Sequence, residues 1–120
     1  MDMSKSRVLK GLQDSIKNVH RNTGDLTITQ LNVLLLIMRR KRVTGMEICQ
    51  SLEMSRPTVS RIIALLSEEV KTRKTQEPLG LIKFDDEGIM SLVKDRRVKY
   101  VVLTEKGEAL AQSFVEAFAE

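Results

Sequence analysis

Two short amphipathic helices, one directly after the other, are the clearest pattern of apolar and polar positions in this chain. Thr44 and Glu47 form a T-x-x-E capping box, which begins a helix by satisfying backbone N–H groups that have no intrahelical partner. Ser55 is a second helix cap, and the two residues before it form the turn. The pattern therefore predicts helices over 45–52 and 55–70.

The second of these helices has one apolar face and one polar face. Its apolar positions recur at i, i+3, i+4 and i+7, the spacing of a buried stripe: Val59, Ile62, Ile63 and Leu66. The other side of its first turns carries Arg, Ser and Thr, with no acid and no bulky apolar group. Arginine can bond guanine in the DNA major groove, and a helix N-terminus favours an anion. This face predicts DNA recognition; an ordinary surface helix is the alternative that the pattern leaves open.

Further helices are predicted on both sides of this pair. A helix over 3–21 carries an apolar stripe that needs a partner, either the C-terminal helix or another subunit. The residues of that stripe are Val8, Leu9, Leu12, Ile16 and Val19. Thr27 begins another capping box, and the helix that follows, over 28–40, is apolar almost all round and should be the central buried helix. Thr104 caps a last helix over 105–118.

Short apolar runs between the helix pair and the last helix predict β-strands. They lie at 79–84, 89–93 and 98–103, and the last is rich in β-branched residues. Two or three antiparallel strands after a helix pair make a wing. The predicted fold is mainly α with a small antiparallel β wing, a winged helix-turn-helix, in a single domain over 1–120.

The size and composition fit one globular domain with an aliphatic core. The chain has 120 residues, of which 42% are hydrophobic and only 3% aromatic. A single cysteine cannot form an intramolecular disulfide and fits a reducing compartment. The N-terminus has no apolar signal segment, and the longest apolar run, Val33–Met38, is too short to span a bilayer. We therefore expect a cytoplasmic protein without a membrane partner.

The charge is distributed unevenly along the chain. From Glu105 onward four glutamates accompany one lysine, which gives this segment a net charge of −3. Because the whole chain carries +4, the preceding 104 residues carry +7. The basic residues cluster at Arg39–Arg42, Lys71–Lys74 and Lys94–Lys99. A basic body with an acidic last helix indicates a polyanionic partner. For Arg39–Arg42, a stabilising position at a helix C-terminus is an equally good explanation.

No group of residues has the composition of an enzyme site, so the sequence predicts neither catalysis nor a cofactor. His20, the only histidine, lies at the end of the first helix, where a cation suits the helix dipole. Cys49 lies on an apolar stripe and should be structural. The three consecutive acids Asp85–Glu87 cannot all face one metal ion, and a solvated turn is the preferred interpretation.

Five short motifs, in order, resemble those of MarR-type winged-helix regulators. They are LTITQLNVLLL at 26–36, SRPTVSR at 55–61, GLI at 80–82, DRR at 95–97 and LTEKG at 103–107. No single motif is specific, and the resemblance rests on their order over roughly residues 25–107.

The resemblance implies a homodimer whose N-terminal helix, 3–21, and C-terminal helix, 105–118, pack together. Each subunit would place its recognition helix in the major groove of double-stranded DNA and its wing across the minor groove. The DNA-binding residues carried over by position are Ser55, Arg56, Pro57, Thr58, Ser60 and Arg61 in the helix, and Asp95, Arg96 and Arg97 in the wing. The aspartate would steady the arginine that reaches the minor groove. No small-molecule effector is identified by the sequence.

A winged helix used as a protein-interaction adapter is the second hypothesis. Such a module can carry a neutral or acidic recognition helix, whereas Arg56 and Arg61 are basic and no acid lies near them in the first turns. The composition therefore favours a transcriptional regulator that binds DNA.

Overall fold

The computed structural model of the chain describes residues 3–67, 79–85 and 99–119. Within these ranges the fold is mainly helical with a small antiparallel sheet, as predicted. The elements are α1 (Met3–Thr23), α2 (Ile28–Arg40), β1 (Arg42–Thr44), α3 (Gly45–Leu52), α4 (Arg56–Leu66), β2 (Ile82–Asp85), β3 (Tyr100–Leu103) and α5 (Glu105–Ala117). The strand predicted at 89–93 lies outside the described residues.

The helices begin at the predicted caps. The hydroxyl of Thr44 accepts from the Glu47 N–H at 3.1 Å, and the Glu47 carboxylate accepts from the Thr44 N–H at 2.8 Å. Thr27 forms the same reciprocal pair with Gln30 at the start of α2. Because each cap uses only residues within one turn, the sequence pattern is sufficient to locate it.

Helix α2 is the central buried helix, as predicted. Val33, Leu34 and Ile37 are completely buried, and the buried stripe of α4 belongs to the same apolar cluster. The sheet and α5 complete the core with Leu81, Ile82, Val101, Leu103 and Leu110. Burying each such side chain contributes about 1.5–3 kcal/mol. This core therefore holds the helix pair, the sheet and α5 together as one unit.

The sheet has the strand order β1-β3-β2, and both pairings are antiparallel. Strand β1 was not predicted, because it has only three residues and buries only Val43 fully. It forms through a long-range pairing that places Val43 opposite Val101. The segment Arg39–Arg42 thus ends one helix and enters a strand.

Helix α4 is shorter than the predicted 55–70. Ser67, its C-terminal cap, has an extended backbone with φ −74° and ψ 161°. The backbone at Leu79–Leu81 bonds to the carbonyls at this end of the helix, and Ser67 forms a parallel bridge with Ile82. Tertiary hydrogen bonds, which a local pattern does not contain, therefore end the helix at Leu66.

Helix α1 packs along α5, but not through most of its predicted apolar stripe. Its buried positions are Gly11, Ser15 and Val19, one turn apart, and Gly11 lies against the ring of Phe118. The rest of the stripe is about half exposed: Val8 54%, Leu9 54%, Leu12 49% and Ile16 50%. Of the two partners expected for the stripe, the C-terminal helix thus covers only Val19 within this chain, because small residues let α5 approach a different face.

The turn between α3 and α4 yields a stability prediction at Glu53. This residue has a left-handed backbone, φ 53° and ψ 52°, where a side chain costs about 1–2 kcal/mol and glycine costs nothing sterically. We expect Glu53→Gly to raise the free energy of unfolding by about 0.5–1 kcal/mol, after the greater chain entropy of glycine is subtracted. Urea denaturation measures this change.

The control is Glu53→Ala, which removes the same carboxylate from the C-terminus of α3 but keeps a Cβ. If alanine stabilises as much as glycine, the gain comes from removing an acid beside the helix dipole, and the backbone explanation is wrong.

Candidate nucleic-acid interface

The orientation of α4 is fixed by its buried stripe. Val59, Ile62, Ile63 and Leu66 are all buried in the core, as predicted. A helix buried along one stripe must turn its opposite face to solvent. The predicted contact residues Arg56, Pro57, Ser60 and Arg61 are exposed, and Thr58 is half-buried. The structure therefore brings these five side chains together along one exposed helix face.

The N-terminus of α4 is held by Ser55 and Thr58. The Ser55 hydroxyl donates to Thr58 Oγ1 at 2.8 Å and accepts from the Thr58 N–H at 3.4 Å. Because Thr58 Oγ1 acts as the acceptor in this pair, its own O–H proton can be donated outward. The pair therefore caps the helix and also leaves a hydroxyl donor one turn before Arg61.

The predicted wing residues, Asp95, Arg96 and Arg97, lie outside the described residues. The strands on either side of them, β2 and β3, are described and paired, with Asp85 opposite Tyr100. The paired strands therefore fix the two points, Asp85 and Tyr100, between which the chain segment with the predicted wing residues is connected to the sheet.

An ion pair and a ring contact join all three strands at this end of the sheet. Arg42 in β1 places its guanidinium 3.9 Å from the ring centre of Tyr100 in β3. Its Nε atom lies 3.4 Å from Oδ2 of Asp85 in β2. Sequence reasoning missed this cluster, since only the strand register brings the three residues together. Partly exposed contacts of this kind contribute modestly to stability, about 0.5–1 kcal/mol each.

The residues considered for other chemistry lie apart from one another. His20 is at the end of α1, with Nδ1 3.2 Å from Oδ1 of Asp25. Cys49 is half-buried and packs against the core. Within the described ranges no three His, Cys, Asp or Glu side chains are grouped as metal ligands. No helix in this part of the chain has the length and apolar character needed to cross a membrane.

An open groove of about 370 Å³ lies between α2 and α5. It is mainly apolar, with Asn32 and Arg39 as its polar members. The other lining residues are Leu35, Leu36, Met38, Leu52, Ala111, Phe114 and Val115. Because the lining residues come from α2, α3 and α5, the groove is a surface separate from the proposed contact face on α4.

Comparison with known proteins agrees with this geometry. AbfR in its reduced form, bound to DNA, is 21% identical, with a TM-score of 0.60 over 94% of this chain and 70% of that one. A mutant of MepR from a multidrug-resistant S. aureus clinical isolate is 22% identical, with a TM-score of 0.61 over 98% and 78%. Wild-type MarR from E. coli, in its apo form, is 16% identical, with a TM-score of 0.57 over 100% and 78%. The comparison with curated proteins found no match.

The fold and the presented helix define a winged helix-turn-helix protein. Residues 24–69, which comprise α2, β1 and the helix pair, match the model of the MarR family. The resemblance to this family that the sequence predicts is therefore confirmed, by the family model over these residues and by the shared fold.

The cap at Ser55 yields a second stability prediction. Ser55→Ala removes the acceptor for the Thr58 N–H and should lower the free energy of unfolding by about 1 kcal/mol. Ser55→Gly should cost only a few tenths, about 0.3 kcal/mol, because glycine is tolerated at this position. Chemical denaturation checks both values.

Ser60→Ala, on the exposed face of the same helix, is the control and should change stability by less than about 0.5 kcal/mol. A decrease at Ser60 equal to that at Ser55 would contradict the capping role.

Proposed function

We propose that this protein is a sequence-specific, double-stranded-DNA-binding transcriptional regulator that acts as a homodimer. The observation that carries the proposal is the exposed face of α4, where Arg56 and Arg61 stand beside hydroxyl side chains on a helix anchored by its opposite face. AbfR, a protein of similar fold, has been solved in its reduced form bound to DNA. In this proposal α4 enters the major groove, which admits an α-helix and carries a distinct donor and acceptor pattern for each base pair.

The side chains of α4 have different proposed roles. Arg61 lies one turn into the helix, where a guanidinium can reach guanine O6 and N7. Ser55 and Thr58 lie at the helix N-terminus, where hydroxyls and backbone N–H groups suit a phosphate. Arg56 is proposed as a phosphate or base contact beside them. Pro57 and Ser60 leave room for close approach because neither is bulky.

The wing is proposed to reach the minor groove through residues 95–97. The support is the Asp-x-Arg pattern of Asp95 and Arg97 together with the family match of the preceding helices. Arginine suits the negative potential of a narrow minor groove. Asp95 is proposed to steady Arg97, and Arg96 to add a backbone contact.

The homodimer is proposed from the two terminal helices. Apolar side chains of α1 are half exposed, Val115 of α5 is 64% exposed, and Phe118, which caps the end of α5, is 40% exposed. Because α1 and α5 pack together, these side chains favour a further partner: monomeric proteins rarely leave a large apolar patch in water. The charges are complementary as well, since α1 carries Lys5, Arg7, Lys10 and Lys17, and α5 carries Glu105, Glu108 and Glu116. A second copy of the chain therefore fits this surface.

The DNA-binding proposal is tested by comparing two arginine variants. Arg61→Ala should weaken binding to the preferred duplex by about 1–3 kcal/mol and abolish preference at one or two positions of each half-site. Arg97→Ala should weaken binding more evenly across sequences and reduce the salt slope by about one for each phosphate that is no longer neutralised. The measurement is a titration of each variant with the preferred duplex, its point variants and a random duplex at several salt concentrations.

The outcomes separate the hypotheses. Equal weakening of all duplexes by Arg61→Ala would make Arg61 a phosphate contact and the proposed facing of α4 wrong. Unchanged binding in both variants would favour the protein-interaction adapter over the DNA-binding regulator.

The homodimer is tested by placing an acid on the exposed terminal helices. Leu12→Glu and Val115→Glu should each shift the mass in solution from twice the 13.6 kDa of the chain toward that of a monomer. Light scattering at tens of micromolar protein measures this mass.

Ile28→Glu is the matched control. Ile28 is 87% exposed and lies in the first turn of α2, where an acid suits the helix dipole. A wild-type protein with the mass of one chain would rule out the dimer, and dissociation by Ile28→Glu would place the interface elsewhere.

A further inference from the structure

Three consecutive residues, Leu79–Leu81, connect the end of the recognition helix to the start of α5; we call them the bridging segment. Their backbone N–H groups all donate toward the C-terminal end of α4. Leu79 donates to the Leu65 carbonyl at 3.3 Å, and Leu81 to the Leu66 carbonyl at 2.8 Å. Gly80 donates to the carbonyl of Ser67 at 3.1 Å. The bridging segment thus satisfies carbonyls that a helix end leaves without intrahelical partners.

The three carbonyls of the same segment all accept from the start of α5. The Thr104 hydroxyl donates to the Gly80 carbonyl at 2.6 Å, and the Thr104 N–H donates to the Leu81 carbonyl at 3.0 Å. Lys106 Nζ donates to the Leu79 carbonyl at 2.9 Å. Every backbone donor and acceptor of the bridging segment is therefore used, on one side by α4 and on the other by α5.

The packing leaves little room for movement between the segment and α5. A Cβ on Gly107 would overlap the carbonyl oxygen of Leu81, so α5 lies directly against the bridging segment. The Gly107 N–H donates to Thr104 Oγ1 at 3.1 Å, which makes this hydroxyl both the cap of α5 and a donor to the segment. Gly80 has φ +68°, a left-handed backbone that glycine adopts without strain. Three residues of the L-T-E-K-G motif, Thr104, Lys106 and Gly107, thus contact the bridging segment.

From this geometry we infer that Thr104 is a positioning residue: it sets the orientation of α4 relative to α5 through the bridging segment, and so determines the half-site spacing that the dimer accepts. The inference rests on the proposed function, because spacing has meaning only for a dimer on DNA. The two recognition helices of a symmetric dimer must match half-sites about 10–10.5 base pairs apart, or a multiple of this. If α5 lies in the dimer interface, the connection from α5 to α4 fixes that distance.

The test varies the spacing between half-sites in duplexes of otherwise constant sequence. One added base pair rotates a half-site by about 35° and moves it about 3.4 Å, so wild-type protein should lose affinity about tenfold or more. Thr104→Val keeps the side-chain shape but removes the hydroxyl. It should reduce this penalty to about threefold or less while leaving the base preference within each half-site unchanged.

Thr104→Ser and Thr27→Val are the matched controls. Serine restores the hydroxyl and should restore the spacing penalty. Thr27→Val also removes a threonine cap, but from α2, where the hydroxyl accepts from the Gln30 N–H within its own capping box. It removes a cap without breaking a contact between α4 and α5 and should leave the spacing profile as in the wild type, so removal of a cap and coupling of the two helices are distinguished.

Amide hydrogen exchange provides a second measurement that needs no DNA. In Thr104→Val, protection of the Leu79 and Leu81 amides should fall about tenfold more than that of the core of α2. In Thr27→Val, protection of the Leu79 and Leu81 amides should fall only as much as global stability falls.

The outcomes distinguish failure of the inference from failure of the proposed function. If wild-type protein discriminates spacings and Thr104→Val does so equally, the positioning role is wrong while DNA binding stands. If wild-type protein binds no duplex, the proposed function and the spacing role both fail, and hydrogen exchange still decides whether Thr104 couples the two helices.

Discussion

The burial of one stripe of α4 is the constraint that determines how the proposed DNA-binding face of this protein is presented. Val59, Ile62 and Leu66 are held in a core made by α2, the sheet and α5. Their burial contributes several kcal/mol, about 1.5–3 for each side chain, which is more than any contact on the exposed face supplies. The rotation of α4 is therefore decided by its apolar side, and its Arg and hydroxyl side chains are turned outward as a consequence.

Hydrogen bonding then fixes what apolar burial leaves undetermined, namely the tilt and the ends of α4. Ser55 defines its beginning, and the bridging segment defines its end by bonding to its last carbonyls. Because the same segment accepts from Thr104 and Lys106, the recognition helix and the helix proposed to form the dimer share one backbone connection. Recognition of a half-site and spacing between half-sites would thus depend on different residues, the first on α4 and the second on the start of α5.

The helix caps and the approximate positions of β2 and β3 were predictable from the sequence, whereas several features that depend on long-range contacts were not. The caps at Thr27, Thr44 and Thr104 were located because each bonds within one turn. Strand β1 was missed because it exists only through its pairing with β3, and α4 was predicted too long because the groups that end it come from Leu79–Leu81. On α1, hydrophobicity indicated a stripe, whereas packing on α5 uses Gly11 and Ser15, whose small size matters more than their polarity. The exposed face of α4 was predictable from helical periodicity, while the cluster of Arg42, Asp85 and Tyr100 required the strand register.

The exposed face of α4 is proposed to read the sequence of duplex DNA in a symmetric dimer. Binding selection from random duplexes with the wild-type protein is the decisive measurement, because it tests recognition and symmetry together. We predict enrichment of two inverted half-sites with a fixed spacing, and affinity for them that falls steeply between about 50 and 200 mM salt. Recovery of no enriched sequence, with duplex affinity that is negligible at about 50 mM salt, would contradict the proposal.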